Sequence, residues 1–110
     1  MKRVRFIGSA KEDLSRFPQA ARSRAGHELF RVQQGLDPES WKPMSNIGPG
    51  AKEIRVQIAD GAFRLIYVAS FASAIYALHA FQKTTRKTSQ RDLRLARRRY
   101  RDAIALEGSH

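Results

Sequence analysis

Cysteine is absent from this chain. That excludes disulfides, thiolate metal sites and cysteine nucleophiles, and it suits a reducing compartment such as the cytoplasm. Histidine is scarce. His27, His79 and His110 lie far apart and match no metal-ligand spacing, so neither a metal nor another cofactor is expected. Acidic residues are few as well: 21 Lys and Arg against 10 Asp and Glu leave a net charge of +11. Such an excess draws a protein toward polyanions and says nothing by itself about catalysis. The N-terminus, Met1 to Phe6, is basic but has no long apolar stretch behind it, unlike a signal peptide. Only Leu65 to Phe81, free of Lys, Arg, Asp and Glu, invites a membrane reading. A spanning helix needs roughly 17–25 apolar residues. This stretch holds Ser70, Ser73 and His79 among β-formers such as Ile66, Tyr67, Val68, Ile75 and Tyr76, so two buried strands are expected, not a membrane span.

What is present suits one folded domain over residues 1–110: 42% of the residues are hydrophobic, enough for a packed core. Arg3 to Ile7 reads as an opening strand. Ser9 with Glu12 has capping-box spacing for a short helix reaching about Phe17. Pro18 can start a second helix whose Ala21, Ala25, Leu29 and Val32 form one apolar stripe, and Gly35 can end it. Leu36 to Lys52, with Pro38, Pro43, Gly48, Pro49 and Gly50, reads as the main loop. Within it, Trp41 and Met44 either plug the core or make a base- or partner-contacting loop.

Three strand signals follow. Glu53 to Ala59 alternates, with Ile54, Val56 and Ile58 on one face. Asp60-Gly61 is a two-residue hairpin turn. Ala62 to Phe71 is apolar on both faces, as a covered central strand should be. Ala74 to Lys83 supplies the third strand, completing an antiparallel meander. From Lys83 to Arg101 there are nine basic residues and one acidic residue, Asp92. Ser89 with Asp92 marks a helix start, and Leu93, Ala96, Tyr100 and Ile104 are its expected buried face.

Cleavage of RNA without a metal needs a base for the ribose 2′-OH, cations for the phosphate and an acid for the leaving 5′-oxygen. Arg suits the phosphate because its planar fork grips two oxygens and keeps its charge. His suits proton transfer, and Lys or Tyr can replace it where neighbouring charge lowers the pKa. Arg55, Arg64, His79 and Lys83 fall on the three meander strands, with Tyr67 one strand over from His79. Alternation places His79, Phe81 and Lys83 on one face, an aromatic between two polar groups, suited to stacking a base while holding the backbone. Each has a plainer reading. Arg64 can be a solvated residue paired with a neighbour such as Glu53, His79 and Tyr67 can be core residues, and the terminal arginines can be an exposed helix face.

The segments Trp41-Lys42-Pro43-Met44, Ile47-Gly48-Pro49-Gly50, Glu53-Ile54-Arg55-Val56, Phe63 to Ala69, and Leu78-His79-Ala80-Phe81-Gln82-Lys83 with Thr85 and Lys87-Thr88 carry a resemblance, as do Phe6 to Ser9 and Phe17-Pro18. They resemble the phage-derived HigB-like branch of the RelE/ParE toxin superfamily over nearly the whole chain. The resemblance implies a small α+β domain: an N-terminal strand and helical hairpin packed on a mostly antiparallel twisted sheet, plus a C-terminal helix. It implies a cytoplasmic toxin that cleaves mRNA on the ribosome, partnered by a helix-turn-helix, HigA-like antitoxin. By family position Arg64 is the phosphate-gripping arginine, Arg55 and Lys83 are supporting cations, and His79 is the proton-transfer candidate, with Tyr67 beside them. Phe81, Arg86, Lys87, Arg94 and Arg98 are the RNA-contacting candidates. Two other classes stay open: a ParE-like toxin that poisons gyrase by binding protein, and a basic nucleic-acid-binding protein without catalysis, including a toxin that has lost activity and only regulates its operon.

Overall fold

A computed structural model describes residues 1–109; His110 lies outside the described residues. The elements run β1 (Arg3–Phe6), α1 (Ala10–Ser15), α2 (Gln19–Gln33), β2 (Trp41–Pro43), β3 (Ala51–Ile58), β4 (Gly61–Val68), β5 (Ala74–Lys83) and α3 (Gln90–Gly108). They build one five-stranded sheet in the order β1-β5-β4-β3-β2. β1 lies parallel to β5, and every other pairing is antiparallel. This is the α+β arrangement that the resemblance implies. Among the described residues no helix is long and apolar enough to cross a membrane.

Both faces of the sheet are covered, which explains why β4 is apolar on both. Phe63, Leu65 and Tyr67 point with Ile54 and Val56 toward α1 and α2, where Leu14, Phe17 and the stripe Ala21, Ala25, Leu29 and Val32 meet them. Ile66 and Val68 point the other way, with Ala51, Tyr76 and Leu78, against Leu93, Ala96, Tyr100 and Ala103 of α3. α2 ends as expected, with Gly35 at φ +85° where a side chain would be strained.

Several local expectations are corrected. Ser9 forms no capping bond; its hydroxyl instead donates to the Asp13 carboxylate at 2.7 Å. The stretch expected to be a loop contains β2, because Pro43 sits on an edge strand where its missing N–H leaves no ladder bond unmade. Met44 is buried, but Trp41 is half-exposed and plugs nothing: its ring carries the Lys52 ammonium at 4.5 Å. On α3, Ile104 is 48% exposed and Ala103 takes the buried position, while Arg99 is only 8% exposed.

α3 is clamped to the β2–β3 loop by Tyr100, whose hydroxyl donates to the Pro49 carbonyl at 2.5 Å. The Tyr100 ring lies so close to Gly48 that a Cβ there would meet ring atoms at 2.6 Å. Gly48→Ala is therefore expected to cost about 1–3 kcal/mol through overpacking. Urea unfolding checks this: a lower midpoint at unchanged slope is the expected result.

Candidate nucleic-acid interface

The register of the meander decides which polar side chains share a face, since antiparallel partners project to the same side. Lys42 pairs with Glu53, and Arg55 with Arg64. Arg64 in turn pairs with Phe81, and Ala62 with Lys83. Lys42, Glu53, Arg55, Arg64, Phe81 and Lys83 therefore lie together on the α3 side of the sheet, beyond the N-terminus of that helix. The exposed Arg86 and Lys87 follow in the β5–α3 connection. Lys83 donates to the Arg86 carbonyl at 2.9 Å, and a groove of about 380 Å³ is bounded by Lys42, Lys83, Arg86 and Lys87.

Glu53 holds these like charges together. Its carboxylate is nearly fully buried, 3.5 Å from the Arg64 Nε and 4.0 Å from the Arg55 Nε. Arg64, itself buried, donates to the Phe63 carbonyl at 3.1 Å. Burial pulls the Arg64 pKa below the ordinary arginine value, and Glu53 works against that shift. Lys83 titrates below an ordinary lysine, first because it is partly desolvated and then because Arg64 lies near. Both effects favour the neutral form of the amine relative to an ordinary lysine. Sequence alone marks Glu53 only as a neighbour of the arginines and gives Lys42 no role; the Lys42–Glu53 register supplies the missing information.

His79 is placed differently from its expected role. Its Nε2 lies 2.7 Å from an Asp92 carboxylate oxygen, whose partner oxygen accepts from the Ser89 hydroxyl at 2.7 Å. Ser89 also caps α3 by accepting from the Asp92 N–H. The His79 Nδ1 is buried and meets no hydrogen-bond partner among the described residues. Neither ring nitrogen is therefore presented to a substrate. What the ring does present is its face, stacked on Phe81 with centroids 4.8 Å apart and planes 20° from parallel. Burial pushes the His79 pKa down, and Asp92 opposes this.

Tyr67 is not part of the cluster. It points to the opposite face, into the core beneath α2, where burial raises its phenol pKa above the ordinary value. Among the expected RNA contacts, Phe81 joins the cluster, and Arg94 and Arg98 lie exposed along α3. With Arg91 and Arg101 they fall at steps of three, four and three, one stripe about 15 Å long.

Residues 12–101 match the family described as Phage derived protein Gp49-like (DUF891). The chain belongs to this family. The Gp49-like family is associated with the toxins of toxin–antitoxin systems, so an antitoxin partner goes with membership. The matched span includes the whole basic cluster and all of α3 through Arg101. No curated protein matches the chain.

The environment of His79 has a consequence for stability. Its folded-state pKa is depressed, so the unfolded chain binds the proton more readily. Stability is then complete above the unfolded value, near 6.5, and falls as the pH drops from there toward the folded value. Thermal unfolding between pH 7.5 and 5 is expected to show a falling Tm, with a shallower fall in His79→Gln.

Proposed function

We propose that this Gp49-like protein is a HigB-like endoribonuclease toxin that cleaves mRNA on the ribosome. The observation that carries the reading is the convergence of Arg55, Arg64 and a pKa-lowered Lys83 on one face beside an aromatic platform. In this reading Arg64 grips the scissile phosphate with its fork and Arg55 adds charge as the phosphate oxygens become more negative. Lys83, in its neutral form, takes the proton of the 2′-OH as that oxygen attacks phosphorus. The P–O5′ bond breaks, leaving a 2′,3′-cyclic phosphate, and the departing 5′-oxygen takes a proton from water at this open face. Phe81 stacks a base next to the cleaved bond, and His79, locked to Asp92, backs the Phe81 ring. Lys42, Arg86 and Lys87 line the path of the RNA backbone, which the arginine stripe of α3 extends toward ribosomal RNA.

This division of labour moves proton transfer from His79 to Lys83, because the nitrogens of His79 are enclosed and the ammonium of Lys83 borders the groove. A gyrase-binding toxin needs no lowered lysine pKa beside paired arginines, and a passive binder needs no carboxylate orienting one of them. A helix-turn-helix antitoxin covering this basic face completes the reading.

Arg64→Ala leaves buried Glu53 with only the more distant, half-exposed Arg55, and breaking a buried ion pair costs about 3–5 kcal/mol. Arg64→Lys keeps the counter-charge and removes only the fork, and so tests the role without stranding Glu53. Induced in cells without antitoxin, the native protein is expected to arrest growth and to create new mRNA 5′ ends inside translated frames. Arg64→Lys is expected to cut those ends by about 10²-fold at similar protein level. Arrest without new ends would move the reading to a protein target such as gyrase. Cleavage at native level in the variant would remove Arg64 from the chemistry.

Two further outcomes follow. The rate should fall as pH drops through the lowered pKa of Lys83, because protonation removes the base. Arg64→Lys keeps a cation there, so Arg55→Gln, which removes one, should shift that limb upward in pH. Arg94→Gln with Arg98→Gln should flatten the dependence of log ribosome affinity on log salt by about one for each phosphate no longer neutralised, measured by filter binding.

A further inference from the structure

Strand β5 does not alternate throughout. Ile66 pairs with His79 and Tyr67 with Ala77, so Leu78 is an extra residue, a β-bulge. Before the bulge the even-numbered Tyr76 faces α3, and Leu78 packs there too. After it the odd-numbered residues face that side, with Phe81 opposite Arg64 and Lys83 opposite Ala62. Unbroken alternation from Tyr76 would turn Phe81 and Lys83 to the α1–α2 face, away from both site arginines.

The carbonyl of bulged Leu78 accepts from one side chain of α3. Arg99 donates from Nη1 to the Leu78 carbonyl at 3.1 Å, and from Nη2 to the Ser9 hydroxyl at 2.9 Å. Ser9 passes the contact on by donating to Asp13 at 2.7 Å. The guanidinium lies against Gly8, which has φ +57° and where a Cβ would come within 2.8 Å of the Arg99 Nε. Burial lowers the Arg99 pKa, with Asp13 acting against it. A buried cation spanning α3, the β1–α1 turn and the bulge needs a reason beyond solubility, since desolvating a charge is costly.

Taking this face as the RNA-cleaving site, we propose that Arg99 is its positioning residue: by holding the carbonyl of bulged Leu78, it keeps β5 in the register that turns Phe81 and Lys83 toward Arg64. Arg99 touches none of the reacting atoms. It acts through the strand, and a displacement of about 1 Å at reacting groups can cost 10²-fold in rate.

The test compares the full-length native chain with Arg99→Met and Arg99→Lys. The readouts are cleavage of ribosome-bound mRNA, ring-current-shifted proton signals of the His79–Phe81 stack, and the NMR titration of the Lys83 side chain. In Arg99→Met, kcat is expected to fall at least about tenfold with KM within about twofold. The ring shifts should collapse, and the Lys83 titration should move up toward that of an ordinary lysine. Arg99→Lys, which keeps one donor for the Leu78 carbonyl, should recover part of each change. A lowered Tm with native ring shifts and native Lys83 titration would reduce Arg99 to a structural clamp and overturn the proposal. If Arg99→Met does not fold, Ser9→Ala decides by the same signals: smaller shifts in the same direction support the proposal, and unchanged signals overturn it. If the native protein cleaves no RNA, the reading of the site fails, and the two NMR signals still decide whether Arg99 sets the register.

Discussion

The arrangement of this face depends on one buried carboxylate. Arg55 and Arg64 are direct cross-strand neighbours, a placement that is unfavourable for like charges. Glu53 lies between the guanidinium groups, 3.5 and 4.0 Å from their Nε atoms. It does not neutralise the face, which keeps Lys42, Lys83, Arg86 and Lys87 as well. The result is a buried pair, Glu53 with Arg64, inside a rim of more exposed cations. Exposed ion pairs are worth about 0–1 kcal/mol, whereas opening a buried one costs several. Arg64 is thus fixed in orientation before any anion arrives, while the rim remains free to follow a backbone. Preorganisation of that kind favours charge that develops during a reaction over charge that is merely bound.

The second determinant is the bulge in β5. A pure alternation cannot place Tyr76 and Leu78 under α3 and also turn Phe81 and Lys83 to the same side. One extra residue resolves the conflict, dividing the strand into a core half and a site half. α3 contributes to both halves. Its apolar residues cover the core half, Arg99 reaches beneath it to the bulge, and its capped N-terminus brings Asp92 to His79. Helix capping, core packing and site geometry therefore meet at a few residues, and substitutions there should affect more than one property.

Much of the fold was legible because apolar periodicity is a strong signal. The stripe Ala21, Ala25, Leu29 and Val32, the alternation of Glu53 to Ala59 and the apolarity of β4 on either side of Arg64 each correspond to an element that forms. The expected Asp60-Gly61 turn falls one residue earlier: Ile58 pairs with Gly61, so Ala59-Asp60 makes the two-residue connection and Gly61 opens β4. β2 was not legible, since a three-residue edge strand ending in proline looks like loop. Nor was the burial of Arg99 while Ile104 stays exposed, because the partners of Arg99, the Leu78 carbonyl and the Ser9 hydroxyl, lie on other elements. At the site, the shared face of His79, Phe81 and Lys83 follows from local alternation, but their relation to Arg64 needed the register across β4 and β5. The roles of Glu53 and Asp92 were hidden for the same reason: each is defined by a partner on another element. Tyr67 failed to join the cluster because alternation within β4 sends it opposite to Arg64.

Membership of the Gp49-like family narrows the biology to that of toxin–antitoxin toxins, and the chemistry then rests on the face just described. In the proposed chemistry these cations act on a phosphate beside a ribose 2′-OH. The most direct measurement uses purified protein, programmed ribosomes and an mRNA carrying a single 2′-deoxy nucleotide at the mapped cleavage position, with the product termini identified by mass. The all-ribose message should be cut to a 2′,3′-cyclic phosphate or 3′-phosphate end, and the 2′-deoxy message should stay whole at that position. Cleavage of the 2′-deoxy position, or products ending in a 3′-hydroxyl, would contradict that chemistry.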